Sequence, residues 1–207
     1  MRISQAAKEE TRERILERAT VLFLSQGFET TTTRDIATAA GLAAGTLFNY
    51  FPSKETLAMS LVREALAEGI ADYQRRHGGT EELAEDLFLL VSSGLRRLRP
   101  LRPFLGPVLE RSLSPFCRKT TCPEGEEARL EHLTQVREIL FRHGFVSTPD
   151  EVALTIYWSL YLGILAFWTG DETPQQEATR ALIDYSLQMF VQTIAGNLPP
   201  TGAAHGN

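Results

Sequence analysis

The stretch that decides the fold is TTRDIATAAGLAAGTLFNYFPSK, residues 32–54. Thr32 stands where a helix N-cap is needed, and Asp35, three residues on, suits the positive end of a helix. Ile36, Ala37 and Ala40 form an apolar face. Gly41 then ends the helix, because glycine adopts the left-handed conformation without strain. Leu42 plugs the turn, and residues 44–50 read as a second short helix with Leu47 and Phe51 facing inward. Pro52 and Ser53 close it, with Ser53 capping the next helix and Lys54 in its first turn. Helix, glycine-containing turn, helix is the layout that lays a second helix in the major groove of DNA.

A second helix this short offers few side chains to base edges. Thr46 and Asn49 are the polar candidates, with Ala43 and Ala44 available to thymine methyls. The run GTLFNYFPSKETL (residues 45–57), preceded by TTTRDIATAAGL and by GFET, resembles the DNA-binding domain of TetR/AcrR-type transcriptional regulators. The resemblance covers about the first quarter of the chain. It implies that Thr32, Thr33, Arg34, Tyr50 and Lys54 hold phosphates or the groove edge. One position departs from the family pattern. Tyrosine is usual after the Thr-Leu pair, whereas Phe48 stands here, so a hydroxyl contact is lost and Phe48 reads as core.

The whole chain sets the bounds. It has 207 residues, 43% of them hydrophobic, and a net charge of −5. That supports a substantial core and argues against non-specific coating of nucleic acid. Residues 1–56 carry seven Lys/Arg and seven Asp/Glu, so DNA binding must rest on placed contacts rather than bulk attraction. Residues 1–10 are polar and resemble no secretory signal, and the two cysteines, Cys117 and Cys122, suit a reducing cytoplasm. The cysteines match no zinc spacing, and His132 and His143 read as helix-surface residues beside them. A thiol switch remains the alternative. No nucleophile–base pair, metal-ligand array or phosphate-cradling glycine loop stands out, so neither an enzyme nor a cofactor is expected. Residues 152–168 run 17 residues without a charge, short of the ~20 needed to span a membrane, and read instead as a helix buried on several sides.

Residues 1–8 read as a loose arm, and residues 9–25 as a bracing helix with Ile15, Leu16, Ala19, Leu22 and Phe23 inward. Residues 53–76 form one long helix with Leu57, Leu61, Ala65 and Ile70 inward, a natural mechanical link. Thr80 is placed to cap a helix to Arg99 carrying Leu83, Leu87, Leu90, Val91 and Leu95. Pro100 and Pro103 then force a break, and residues 104–116 form a shorter helix kinked at Gly106-Pro107. Residues 124–143 follow, with Leu130, Leu133, Val136, Leu140 and Phe141 inward. Thr148-Pro149-Asp150-Glu151 is a capping box, and Thr173-Pro174-Gln175-Gln176 repeats the device before a last helix.

In the helix over residues 149–169, Ser159, Gly163 and Ala166 form a stripe of small residues. With Leu182, Tyr185, Met189 and Ile194 of the last helix they suggest a symmetric four-helix interface between two chains, as the resemblance also implies. A dimer offers two recognition helices to a palindromic site. The other sides carry Tyr157, Trp158, Tyr161, Phe167 and Trp168. With Phe88, Phe104, Leu105, Leu109, Phe116, Leu133 and Val136 these are candidates to line an apolar pocket for a small inducer, as in the family. Arg96, Arg97, Arg99 and Arg102 read as a solvated helix end, with an anionic ligand such as an acyl-CoA as the sharper alternative.

The sequence thus predicts an all-α chain: a helix-turn-helix DNA-binding domain at 1–56, a larger ligand-binding and dimerisation domain at 57–197, and a frayed tail at 198–207. The function expected is a cytoplasmic homodimeric regulator, most simply a repressor, released from double-stranded operator DNA by a small-molecule effector. The rival is an all-α ligand-binding or scaffold protein whose helix-turn-helix is not used.

Overall fold

The computed structural model describes residues 4–112, 122–145 and 151–196. Among these there are nine α-helices and no strand, as the sequence predicts: α1 Gln5–Gln26, α2 Thr33–Ala39, α3 Ala44–Phe48, α4 Lys54–Arg76, α5 Leu83–Leu98, α6 Arg102–Ser112, α7 Pro123–Arg142, α8 Glu151–Gly170 and α9 Glu177–Gly196. Short 3-10 turns at Arg99–Leu101 and Pro174–Gln176 precede α6 and α9. By packing, the chain divides into Met1–Ala71 with Gly94–His132, and Asp72–Ser93 with Leu133–Asn207. Helices α4, α5 and α7 each supply residues to both units.

In the first unit, α1 begins at Gln5, earlier than expected. The Ala7 N–H donates to the Ser4 hydroxyl at 3.2 Å, so residues expected to form an arm are helical from the cap onward. Ile15, Leu16, Ala19 and Phe23 are buried, and Gly27 ends the helix at φ 89°. Phe23 meets both Phe28 and Phe104 with ring centroids 5.2 Å apart, which ties α6 to α1. Helix α4 buries Leu57, Ala58, Met59, Val62 and Leu66. Leu61, Ala65 and Ile70, expected inward, are only half-buried.

In the second unit the expected Thr80 cap gives way to a neighbour. The Glu81 carboxylate accepts from the N–H of Gly78 at 2.5 Å and of Thr80 at 3.0 Å. Helix α5 starts later, with the Glu82 carbonyl accepting from Asp86 N–H at 2.9 Å. Helix α7 buries Leu133, Val136 and Leu140 as expected. Phe141 and, in the first unit, Leu130, also expected inward, are 64% and 62% exposed, whereas Ile139 and, in the first unit, Ala128 are buried. His132 is buried too, not on the surface, and burial pushes its imidazole down to about 3, so it is neutral. The capping device before α9 is Asp171 rather than Thr173 alone. Its carboxylate accepts from the N–H and hydroxyl of Thr179 at 2.9 and 2.5 Å and from the N–H and hydroxyl of Thr173 at 2.9 and 2.6 Å. Phe116, Cys117, the 148–150 part of the capping box and the 198–207 tail lie outside the described residues.

A polar cluster in the second unit fixes the last turn of α4. The Tyr73 hydroxyl donates to Asp86 Oδ1 at 2.6 Å, and Asp86 Oδ2 lies 3.0 Å from both Arg142 and His143 Nε2. Arg142 also donates to the Tyr73 hydroxyl. Burial works against the Asp86 charge, but the hydrogen bonds from Tyr73, His143 and Arg142 outweigh it and hold the carboxyl below its ordinary pKa. The stabilisation is therefore complete above the unfolded carboxylate range and fades as pH falls through the folded value. Asp86→Asn is expected to lower unfolding free energy by about 1–3 kcal/mol at neutral pH. Urea titrations check it: the gap between wild type and variant should narrow below about pH 4.

Candidate nucleic-acid interface

The helix-turn-helix is assembled by local rules. Asp35 N–H donates to the Thr32 hydroxyl at 3.2 Å, and the Asp35 carboxylate accepts from Thr32 N–H at 2.9 Å, the reciprocal box that starts α2. Hydrogen bonds then wind the chain round Gly41, which sits at φ 68°: Gly41 N–H to Thr38 O at 3.0 Å and Leu42 N–H to Ala37 O at 2.8 Å. From α1, Arg14 donates to Ala40 O at 3.2 Å, satisfying a carbonyl at the end of α2. Helix α3 is five residues long, shorter than the expected 44–50, and Asn49 and Tyr50 continue it only as a tightened turn.

Leu47 is fully buried, and Phe28, Ile36 and Phe51 of the same unit are buried too. That burial decides which side of α3 looks outward. Ala43, Ala44, Gly45, Phe48 and Asn49 are exposed, while Thr46 and Tyr50 are half-buried. Phe48, expected in the core, is 48% exposed. Full burial of such a side chain is worth about 1.5–3 kcal/mol, and this residue forgoes a good part of that. The signal was in the spacing: with Leu47 and Phe51 both inward, position 48 falls a quarter-turn away.

The residues expected to grip phosphate divide in two. Arg34 is exposed and Thr33 half-buried. The Thr32 hydroxyl is engaged with Asp35, whose carboxyl is held below its usual pKa first by that hydrogen bond. Lys54 is bound more firmly: its ammonium donates to Phe28 O at 2.6 Å and Glu29 O at 3.3 Å and lies 4.4 Å from the Phe28 ring centroid. Two of its three donors thus hold the loop that leads into α2.

The expected inducer residues fall in both units. Phe104 and Leu109 are in the first, where the Phe104 ring packs on Phe23. Phe88, Leu133, Val136, Tyr157, Trp158 and Tyr161 are in the second, all buried except Phe88, which is half-buried. Tyr157 meets Phe190 edge-on at 5.4 Å, and burial raises the Tyr157 and Tyr161 hydroxyls above their ordinary pKa. Helix α8 is long and apolar enough to cross a membrane by length and composition, but here Leu154, Tyr157, Trp158, Tyr161, Ile164, Leu165 and Trp168 form one buried arc. It is not buried on several sides. Val152, Ile156, Ser159, Gly163, Ala166 and Phe167 face outward, and Phe167, expected in the pocket, is among them. On α9, Tyr185 and Met189 are exposed and Leu182 is half-buried. Of the arginine cluster, Arg96 and Arg99 are exposed and Arg97 pairs with Glu68 at 2.9 Å.

A family model described as bacterial regulatory proteins, tetR family, matches residues 15–61, from the second half of α1 through the first turns of α4. The HTH-type transcriptional repressor KstR of Rhodococcus jostii is 43% identical over 200 residues, covering 94% of this chain and 87% of that protein. The chain belongs to the TetR family. The HTH-type transcriptional repressor KstR2 of the same organism is 36% identical over 69 residues, so the chain matches about a third of that relative's length. Among solved structures, the TetR-family repressor FadR of Thermus thermophilus, in complex with lauroyl-CoA, superposes with a TM-score of 0.67 at 26% identity, covering 95% of this chain and 100% of that one.

The TetR-type unit separates two roles that variants can resolve. Lys54→Ala is expected to remove about 1–2 kcal/mol of stability and to weaken binding to all duplexes alike, since it loosens the loop before α2. Asn49→Ala should leave melting unchanged and alter the preferred sequence. Calorimetry beside competition binding checks both, and an unchanged Tm in Lys54→Ala contradicts the clamp.

Proposed function

We propose that this protein is a homodimeric transcriptional repressor that leaves a palindromic operator when a small apolar or amphipathic molecule binds. The observation that carries the reading is the outward face of α3, held open on a TetR-type helix-turn-helix. The likeness to KstR, a transcriptional repressor, supports repression over activation. Thr33, Arg34 and Tyr50 fit contacts to phosphate and the groove edge, and Asn49 suits the paired donor and acceptor of adenine. As a regulator of DNA it acts in the cytoplasm.

The open side of α8 supports the dimer. Ser159, Gly163 and Ala166 allow close helix approach, and Phe167, Tyr185 and Met189 supply apolar area that water disfavours. A two-fold axis through this face repeats the same patch on both subunits and sets out two α3 helices for two half-sites.

The effector class we infer is an acyl thioester of coenzyme A. The Thermus FadR complex with lauroyl-CoA supports it, as does the aromatic arc of α8, which suits an acyl chain. Release then works by population shift: the ligand favours a conformation in which the α3 pair no longer matches the groove. Helix α4 is the element placed to transmit it, since it starts beside Ser53 in the reading unit and ends in the Tyr73–Asp86 cluster.

A competition titration tests this reading, with the duplex upstream of the protein's own gene against random duplex. Specific binding at least about a thousandfold tighter than random is expected, lost on adding lauroyl-CoA, from a species of twice the chain mass in sedimentation. Equal binding to both duplexes, or a monomeric mass, contradicts it.

A further inference from the structure

One phenylalanine stands half in water on α3. Phe23, Phe28, Phe51, Phe104 and Phe190 are each at most 2% exposed, whereas Phe48 is 48% exposed, as are Phe141 of α7 and Phe167 of α8 at 64% and 46%. Its near neighbours on the helix are small. Ala44, four residues before it and on the same face, is exposed, and a Cβ added at Gly45 would meet nothing within 4 Å. A large ring therefore projects from α3 beside Ala44, Gly45 and Asn49, exposed residues that are all smaller.

The chemistry of that ring narrows what it can meet. It has neither donor nor acceptor, so it cannot bond a phosphate or the polar edge of a base. In the major groove the apolar feature that distinguishes one base from the others is the C5-methyl group of thymine. We propose that Phe48 is a specificity-determining residue that packs on a thymine methyl and makes the half-site require thymine at that position. The inference rests on the DNA-binding reading above and adds what that reading lacks, the base class that α3 selects. Asn49, exposed and next in sequence, places an amide beside the same patch. An adenine next to the thymine is its natural partner.

The test uses the full chain. Preferred sites are first selected from random duplexes, and each thymine is then replaced singly by deoxyuridine, which removes the methyl and leaves every hydrogen-bonding group in place. One thymine per half-site is expected at which deoxyuridine weakens wild-type binding about fourfold, the worth of one methyl. Phe48→Ala should weaken binding to the parent site roughly tenfold, in the range of one lost base contact. In that variant the same deoxyuridine should make no further difference. Phe48→Leu, which keeps apolar bulk, should retain part of the sensitivity, and melting curves of both variants should match wild type because the ring is half in water.

Three results overturn the proposal. The first is an enriched site whose deoxyuridine profile is flat. The second is a Phe48→Ala variant that weakens every duplex equally and keeps the wild-type profile, which places the ring on the sugar-phosphate backbone. The third is the absence of any enriched sequence, which removes the DNA-binding reading and this inference with it. The first two leave that reading intact.

Discussion

A five-residue helix does not hold its shape in water alone, since isolated helices under about 12 residues are marginal at best. Leu47 is the one buried residue of helix α3, and its burial supplies what so short a helix lacks by itself. That burial also fixes which α3 side chains are exposed. Around it the structure adds one restraint per loose end. The Thr32–Asp35 box starts α2, Gly41 turns the chain, Arg14 satisfies the Ala40 carbonyl, and Lys54 pins the loop after α1. Each restraint acts on backbone and leaves the outward face of α3 exposed.

The same logic explains what could be read in the sequence. Caps and turns of α2 and the start of α4 obey rules that span three or four residues, and Thr32, Gly41 and Ser53 do what their types suggest. Rules of that reach fail where two candidates compete. Glu81 displaces Thr80 as the acceptor before α5 because a carboxylate is the stronger acceptor for the loop amides. Ser4 starts α1 earlier than the apolar pattern does, since capping needs no hydrophobic residue. In α4 the run Leu57–Ala58–Met59 offers several faces, and periodicity alone does not choose among them. The Tyr73–Asp86–Arg142–His143 cluster was beyond reach, because it joins residues far apart in the chain.

At the candidate site the exposure of several residues follows from the motif, and that of others does not. Asn49, Ala43 and Ala44 are exposed where the motif suggested. The loss of the family's tyrosine hydroxyl makes Phe48 read as core, the usual place for a phenylalanine, yet the ring is 48% exposed. Helix α8 shows the converse. Its uniform apolarity suggested burial all round, yet its small and apolar residues at 159, 163, 166 and 167 face outward.

The most direct measurement is a hydroxyl-radical footprint of the full chain on a duplex selected from random sequence. Two helix-turn-helix units reading adjacent major grooves protect two patches on one face of the duplex, centred about one helical turn, or a multiple of it, apart. A single patch contradicts the symmetric arrangement. Uniform weak protection contradicts the larger claim, that the burial of Leu47 builds α3 into a reading helix.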